Sequence, residues 1–195
     1  MRDYRPLPSL NLQGTVLVAR PAPPKSVKED SPALDVMTDL RHNIPATIDQ
    51  QQSMDAAHAY MIQRGVRMLF VLNSERSLCG IITANDILGD KPLRFIQERR
   101  VRHSEILVAD IMTPLERLDA IDWRTVSHGH VGEVVASLKE SGRQHTLVID
   151  KDREGRVVVI GVFSLTQIER QLGVSIIASG AARSFAEIEA AIAPG

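Results

Sequence analysis

Residues 80–88 read GIITANDIL, and 81 positions further on residues 161–169 read GVFSLTQIE. Both phrases set a glycine before an apolar pair and then a hydroxyl residue, Thr83 or Ser164. Three positions later each carries one polar side chain, Asp86 in the first and Gln167 in the second. An apolar, partly β-branched run that gives way at a hydroxyl residue to helix formers reads as strand, sharp turn and helix. A chain that writes this turn twice predicts two copies of one structural unit.

Working outward, the same elements surround each phrase. The first unit opens at DVMT (35–38), with IPATI as a short strand and a helix from Met54 to Arg64 capped by Ser53 and stopped by Gly65. Strands MLFVL (68–72) and LCGIIT (78–83) follow around the polar turn NSERS, and a helix begins around Asn85 and Asp86. The second unit opens at DIMTP (110–114), with a strand around Arg124–Val126 and a helix from Val131 to Glu140 stopped by Gly142. Strands TLVID and RVVVIGVFS then flank the turn KDREG, and a helix runs from Thr166. Val131, Val134, Val135 and Leu138 recur at helical spacing and give that helix one apolar face. The Met-Thr pairs are 75 residues apart, the stop glycines 77 and the closing phrases 81, so the second hairpin is the longer by four.

Outside the units the texture changes. Six of the ten prolines lie in the first 32 residues, which excludes a continuous helix or central strand there and leaves TVLVA (15–19) as one short strand on an arm. Between the units, Pro92 suits a helix start, and Arg94, Arg99, Arg100, Arg102 and His103 read either as a phosphate or nucleic-acid patch or as a solvated connector paired with acids such as Glu98 and Glu105. At the C-terminal end, Ser184 and Glu187 make a capping-box pattern, with Phe185, Ile188 and Ile192 on one side of a helix.

Composition narrows the function classes. With 44% hydrophobic and 24% charged residues over 195 positions, the chain has the balance of one folded globular unit. A net charge of −1 argues against nucleic acid as the main partner. The single cysteine, Cys79, sits in an apolar run and reads as a buried thiol. The longest uncharged apolar run, VVVIGVFSL, is half of the ~20 residues a membrane helix needs, and MRDYRPLPSL lacks the apolar core of a signal peptide, so a soluble cytoplasmic protein is expected. No phosphate loop, paired-cysteine motif, nucleophile elbow or His-Glu-x-x-His helix is present, so no enzyme chemistry is expected. His128-Gly-His130 is the nearest metal candidate and lacks further ligands in an obvious pattern, so no metal is expected.

Two readings of Asp86 stand side by side. Placed in the first turn of its helix, its carboxylate either caps and neutralises the helix terminus or, having only acceptors, holds the two hydroxyls of a ribose. In the second reading Thr83 and the free N–H groups receive a phosphate.

The order strand, helix, strand, strand, helix, written twice with Met-Thr openings and a Gly-apolar-x-[Thr/Ser]-x-x-Asp close, resembles the cystathionine-β-synthase (CBS) domain, and specifically a tandem CBS pair. The resemblance covers about residues 34–172. It implies an α/β fold in which two CBS repeats, 34–90 and 109–172, pack as a pseudo-twofold disc. A Pro-rich arm (1–33), a connector (91–108) and a tail with a short helix (173–195) complete the chain.

The resemblance also implies two clefts between the repeats that take adenosine nucleotides of the AMP, ADP and ATP class. Asp86 would grip the ribose with Thr83 near it, Arg67 would reach phosphate, and the partner repeat would lend Trp123 and Arg143 to the adenine pocket. In the second phrase Ser164 is retained, with Gln144 and His145 matching Arg67 and Met68, but Gln167 has no charge to strengthen bonds to two hydroxyls. The expectation is therefore an asymmetric module with one competent site, at Asp86. Phe70 and Leu147 stand where the family often has a proline. A non-catalytic regulatory module without cofactor follows, a homodimer that signals to a protein partner. S-adenosylmethionine or a dinucleotide remains open as the ligand, and a structural dimerisation or interaction module with no small ligand is the competing class.

Overall fold

The computed structural model describes residues 5, 7–11, 13–18 and 25–174. After a 3-10 turn at Ala33–Val36 the chain forms β1 (Thr38–Asp39), β2 (Thr47–Asp49), α1 (Met54–Arg64), β3 (Met68–Leu72), β4 (Leu78–Thr83) and α2 (Ala84–Leu88). The connector contributes α3 (Lys91–Arg99) and α4 (Val108–Ile111). The second half follows with β5 (Thr113–Pro114), β6 (Ala120–Asp122), α5 (Trp123–His128), α6 (Val131–Ser141), β7 (His145–Lys151), β8 (Val157–Ser164) and α7 (Leu165–Leu172).

Local chemistry sets these boundaries. Ser53 Oγ accepts from the Ala56 N–H at 3.1 Å and starts α1, and Gly65 ends it in the left-handed region at φ 65°. Gly142 ends α6 in the same way at φ 64°. Asn73 Oδ1 and Asp152 Oδ1 each accept two N–H groups of the turn that follows, so both hairpins close on equivalent loops. The four extra residues of the second hairpin lie in its strands, seven and eight residues long against five and six.

The strand expected around Arg124–Val126 is instead part of α5. Asp122 Oδ1 accepts the Arg124 N–H at 2.8 Å and turns the chain into a helix, and the strand sits just before it as β6, paired parallel to β7. Residues 15–18 of TVLVA form no strand, and Val16, Leu17 and Val18 are exposed. Ala19 and the tail helix expected around Ser184 and Glu187 lie outside the described residues.

Two four-stranded sheets result, ordered β2-β3-β4-β5 and β6-β7-β8-β1. Each takes its antiparallel edge strand from the opening of the other unit. β5 pairs with β4 through Gly80 and Pro114, and β1 pairs with β8 through Gly161 and Asp39. The repeated glycine is explained here: a Cβ at Gly80 would overlap the Thr113 carbonyl oxygen, and one at Gly161 would lie 2.5 Å from Met37 Sδ.

Packing therefore crosses the boundaries read from element order. The first core joins Met54, Met61, Leu69 and Ile82 to Ile106, Val108 and Ile111, whereas the second joins Val131, Leu138, Val148 and Phe163 to Val27, Ala33 and Val36. A third cluster of Phe70, Ile81, Leu147 and Val162 fastens the two sheets to each other. The two positions where the family often has proline are thus apolar contacts between the repeats.

Candidate functional site

Two clefts open between the units, built from equivalent positions. The smaller, about 190 Å³, is lined by Ile81, Thr83, Asn85, Asp86, Thr113 and residues 142–145. The larger, about 360 Å³, is lined by the matching set of Thr38, Val162, Ser164, Thr166, Gln167 and residues 65–68, and adds the Ile44–Ala46 segment, Phe70, His145 and Arg170.

In the smaller cleft, Asp86 is buried and its oxygens are engaged. Oδ2 accepts from the Thr83 N–H and from Thr83 Oγ1, both at 2.7 Å, while Thr83 Oγ1 accepts the Asp86 N–H at 3.3 Å, a capping box at the start of α2. Oδ1 meets Lys91 Nζ at 2.5 Å, and the same ammonium donates to the Ile111 carbonyl at 3.1 Å. A ribose entering here would have to displace Lys91. Arg143 closes the opposite side, donating to the Arg117 carbonyl and lying 3.3 Å from Asp119.

In the larger cleft the same positions are differently committed. Ser164 makes no side-chain cap of α7, and Gln167 Oε1 accepts from Thr38 Oγ1 at 3.2 Å. Among the described residues Arg67 reaches only Asn85 Oδ1, at 3.5 Å, and no carboxylate lines this cleft. Its walls are apolar where Leu40, Ile44, Pro45, Val66, Phe70 and Val162 face it.

His145 borders both clefts. Its Nδ1 is shielded from solvent without a hydrogen-bond partner among the described residues, and burial, with the Arg67 guanidinium second, pulls its pKa down to about 4. The ring is neutral at physiological pH.

The structure therefore divides the expected site residues. Asp86, Thr83 and Arg143 line the smaller cleft, Arg67 and Ser164 the larger, and His145 stands between. Trp123 lines neither. It is the first residue of α5, packs on the second core, and carries the Arg41 guanidinium 4.6 Å from its ring centroid. Arg41 is in turn bound to Asp39 at 2.7 Å, which holds the Asp39 carboxyl well below the usual carboxylate range. This aromatic is held by a cation and a core, not by a cleft.

Sequence reasoning missed Lys91 and Arg170. Lys91 lies five residues beyond Asp86 at the start of the next helix, and Arg170 lies three residues beyond Gln167 on the same helical face, a spacing that marks neighbours. Elsewhere, two connector arginines are paired locally, Arg94 with Asp90 and Arg102 with Glu105 at 2.7 Å, and His103 Nδ1 lies 3.8 Å from Asp55 of α1. Among the described residues no group of three or more His, Cys, Asp or Glu is arranged to hold a metal ion, and no helix is long and apolar enough to cross a membrane. Burial pushes the Cys79 thiol up.

The CBS domain family model matches residues 43–90. No curated protein matches the chain. Among solved structures, an uncharacterized conserved protein from Pyrococcus horikoshii is 23% identical with a TM-score of 0.51, the match covering 73% of this chain and 92% of that one. CBSX2 in complex with AMP is 19% identical with a TM-score of 0.50, covering 72% and 94%. The CBS domain pair of protein MJ0100, in complex with 5′-methylthioadenosine and S-adenosyl-L-methionine, is 19% identical with a TM-score of 0.50, covering 73% and 96%. Residues 43–90 match the CBS domain model, and both halves together take the fold of these CBS-pair structures.

Proposed function

We propose that the chain is a non-catalytic regulatory module that binds an adenosine nucleotide of the AMP, ADP and ATP class in the larger cleft between its two repeats. The observation that carries this reading is an apolar cleft of about 360 Å³ with Arg67 and Arg170 in its lining and, among the described residues, no carboxylate. That volume falls in the ~300–1,000 Å³ range of small-molecule sites, whereas the Asp86 cleft at about 190 Å³ falls below it. Apolar walls suit a purine, and guanidinium groups suit phosphate. The same charge disfavours the sulfonium of S-adenosylmethionine.

Adenosine compounds in CBSX2 and MJ0100 support the choice of adenosine. A ligand here touches residues of both repeats, so it shifts their arrangement by binding one arrangement better than another, and a protein partner reads the change. Self-association of two such modules belongs to the same proposal. The second reading, an interaction module without ligand, draws on the exposed Leu7, Leu10, Val16, Leu17 and Val18 of the arm.

The test is calorimetric titration of nucleotide-stripped protein with AMP, ADP and ATP, with Arg67→Ala as control. Saturable binding at one site per chain, weakened in the variant, is expected. Absence of heat with all three at millimolar concentration overturns the proposal in favour of the interaction module.

A further inference from the structure

We infer that the larger cleft takes a nucleotide phosphorylated on its ribose edge, at the 2′ or 3′ oxygen as well as at the 5′ end. This rests on the nucleotide reading above and names the ligand more closely. At the position where the smaller cleft has the Asp86 carboxylate, the larger has Gln167. Its Oε1 accepts from Thr38 Oγ1 at 3.2 Å, while its NH₂ group, a donor that a carboxylate lacks, has no partner among the described residues. A carboxylate accepts from a ribose diol and repels a phosphate. An amide NH₂ donates to a phosphate oxygen without repelling it.

Arg170 extends the inversion. It lies three residues beyond Gln167, in reach of the same ligand group, and 81 positions earlier its counterpart is Gly89, which has no side chain. Replacing an acid and a glycine by an amide and an arginine moves the site from acceptor to cationic donor. The same exchange separates dinucleotide sites that hold a ribose 2′-hydroxyl with an acid from those that receive a 2′-phosphate with an arginine. Arg67, contributed by the other repeat, remains for the 5′-phosphate. Neither arginine has a carboxylate partner among the described residues, so both are available to a ligand with two separated anionic groups.

The full chain, stripped of nucleotide, is titrated with AMP, 2′-deoxy-AMP, adenosine 2′,5′-bisphosphate and adenosine 3′,5′-bisphosphate. One bisphosphate is expected to bind about tenfold tighter than AMP, as two added charge-assisted hydrogen bonds allow, and loss of the 2′-hydroxyl to change AMP affinity by less than about threefold. Arg170→Gly erases the bisphosphate advantage. Gln167→Asp, checked for folding by its melting temperature, turns the preference towards AMP over both its deoxy form and the bisphosphates. If AMP binds as tightly as both bisphosphates or tighter, the ribose-edge inference fails and the nucleotide reading stands. If none of the four binds, both fail.

Discussion

The two clefts are built from equivalent positions of the two repeats, yet in one the polar side chains engage one another and in the other they make few contacts. In the smaller, Asp86 serves Thr83 and Lys91, and Arg143 serves Arg117 and Asp119. In the larger, Gln167 has one contact through Thr38, and Arg67 has a single long one through Asn85. A motif position shows which group is placed at a cleft. Whether that group is free for a ligand depends on what else reaches it. A buried carboxylate attracts any cation within range, since leaving it unpaired costs several kcal/mol, whereas an amide tolerates a lone neutral partner.

The largest expected contrast tests the exchanged edge strands beneath the two clefts. Gly80→Ala drives a methyl group into the Thr113 carbonyl of the backbone and is expected to cost about 3 kcal/mol in urea denaturation, whereas Gly161→Ala meets the flexible Met37 side chain and costs about 1 kcal/mol. Equal costs would break the comparison.

His145 sharpens it by pH. Its folded pKa of about 4 lies below the ordinary 6.5, so the unfolded chain binds the proton more readily and stability falls as pH drops through the window from 6.5 to 4. A loss of about 2 kcal/mol between pH 7 and pH 5 is expected from thermal melts, and His145→Asn removes that slope. A slope unchanged in the variant would assign it to other groups.

Asp86→Ala removes the capping-box carboxylate and leaves Lys91 unpaired, at an expected cost of about 1.5 kcal/mol, whereas Gln167→Ala costs less than about 0.5 kcal/mol. If Gln167→Ala proved the more destabilising, the assignment of the engaged and the sparsely bonded cleft would be reversed. The smallest effect is on binding alone. Arg67→Ala is expected to weaken AMP about tenfold by removing a charge-assisted contact, and Arg143→Ala to leave affinity within about twofold. Calorimetry with both variants decides which cleft the nucleotide uses.

Much of the architecture was legible because its signals are local. Ser53, Gly65 and Gly142 mark helix ends through one or two backbone groups beside them, and the repeated strands read directly from their apolar, partly β-branched runs. The segment 124–126 misled because Thr125 and Val126 are β-branched, while the decisive residue was the Asp122 cap before them. The site was legible only as a set of positions. Trp123 was placed in the adenine pocket only by the family resemblance, whereas Arg41, just beyond β1, and the second core hold it away from both clefts.

The sequence by itself determined the duplication, most strands and helices of the two units, and the placing of Asp86 and Gln167 at equivalent helix starts, since each depends on residues within a turn or two. Only the tertiary structure decided that the units exchange edge strands, that Lys91 occupies Asp86, and that Ile44–Ala46, Arg67 and Arg170 enclose one cleft. Those outcomes depend on groups brought together from distant parts of the chain, and a buried charge is answered by whichever partner the packed fold delivers to it.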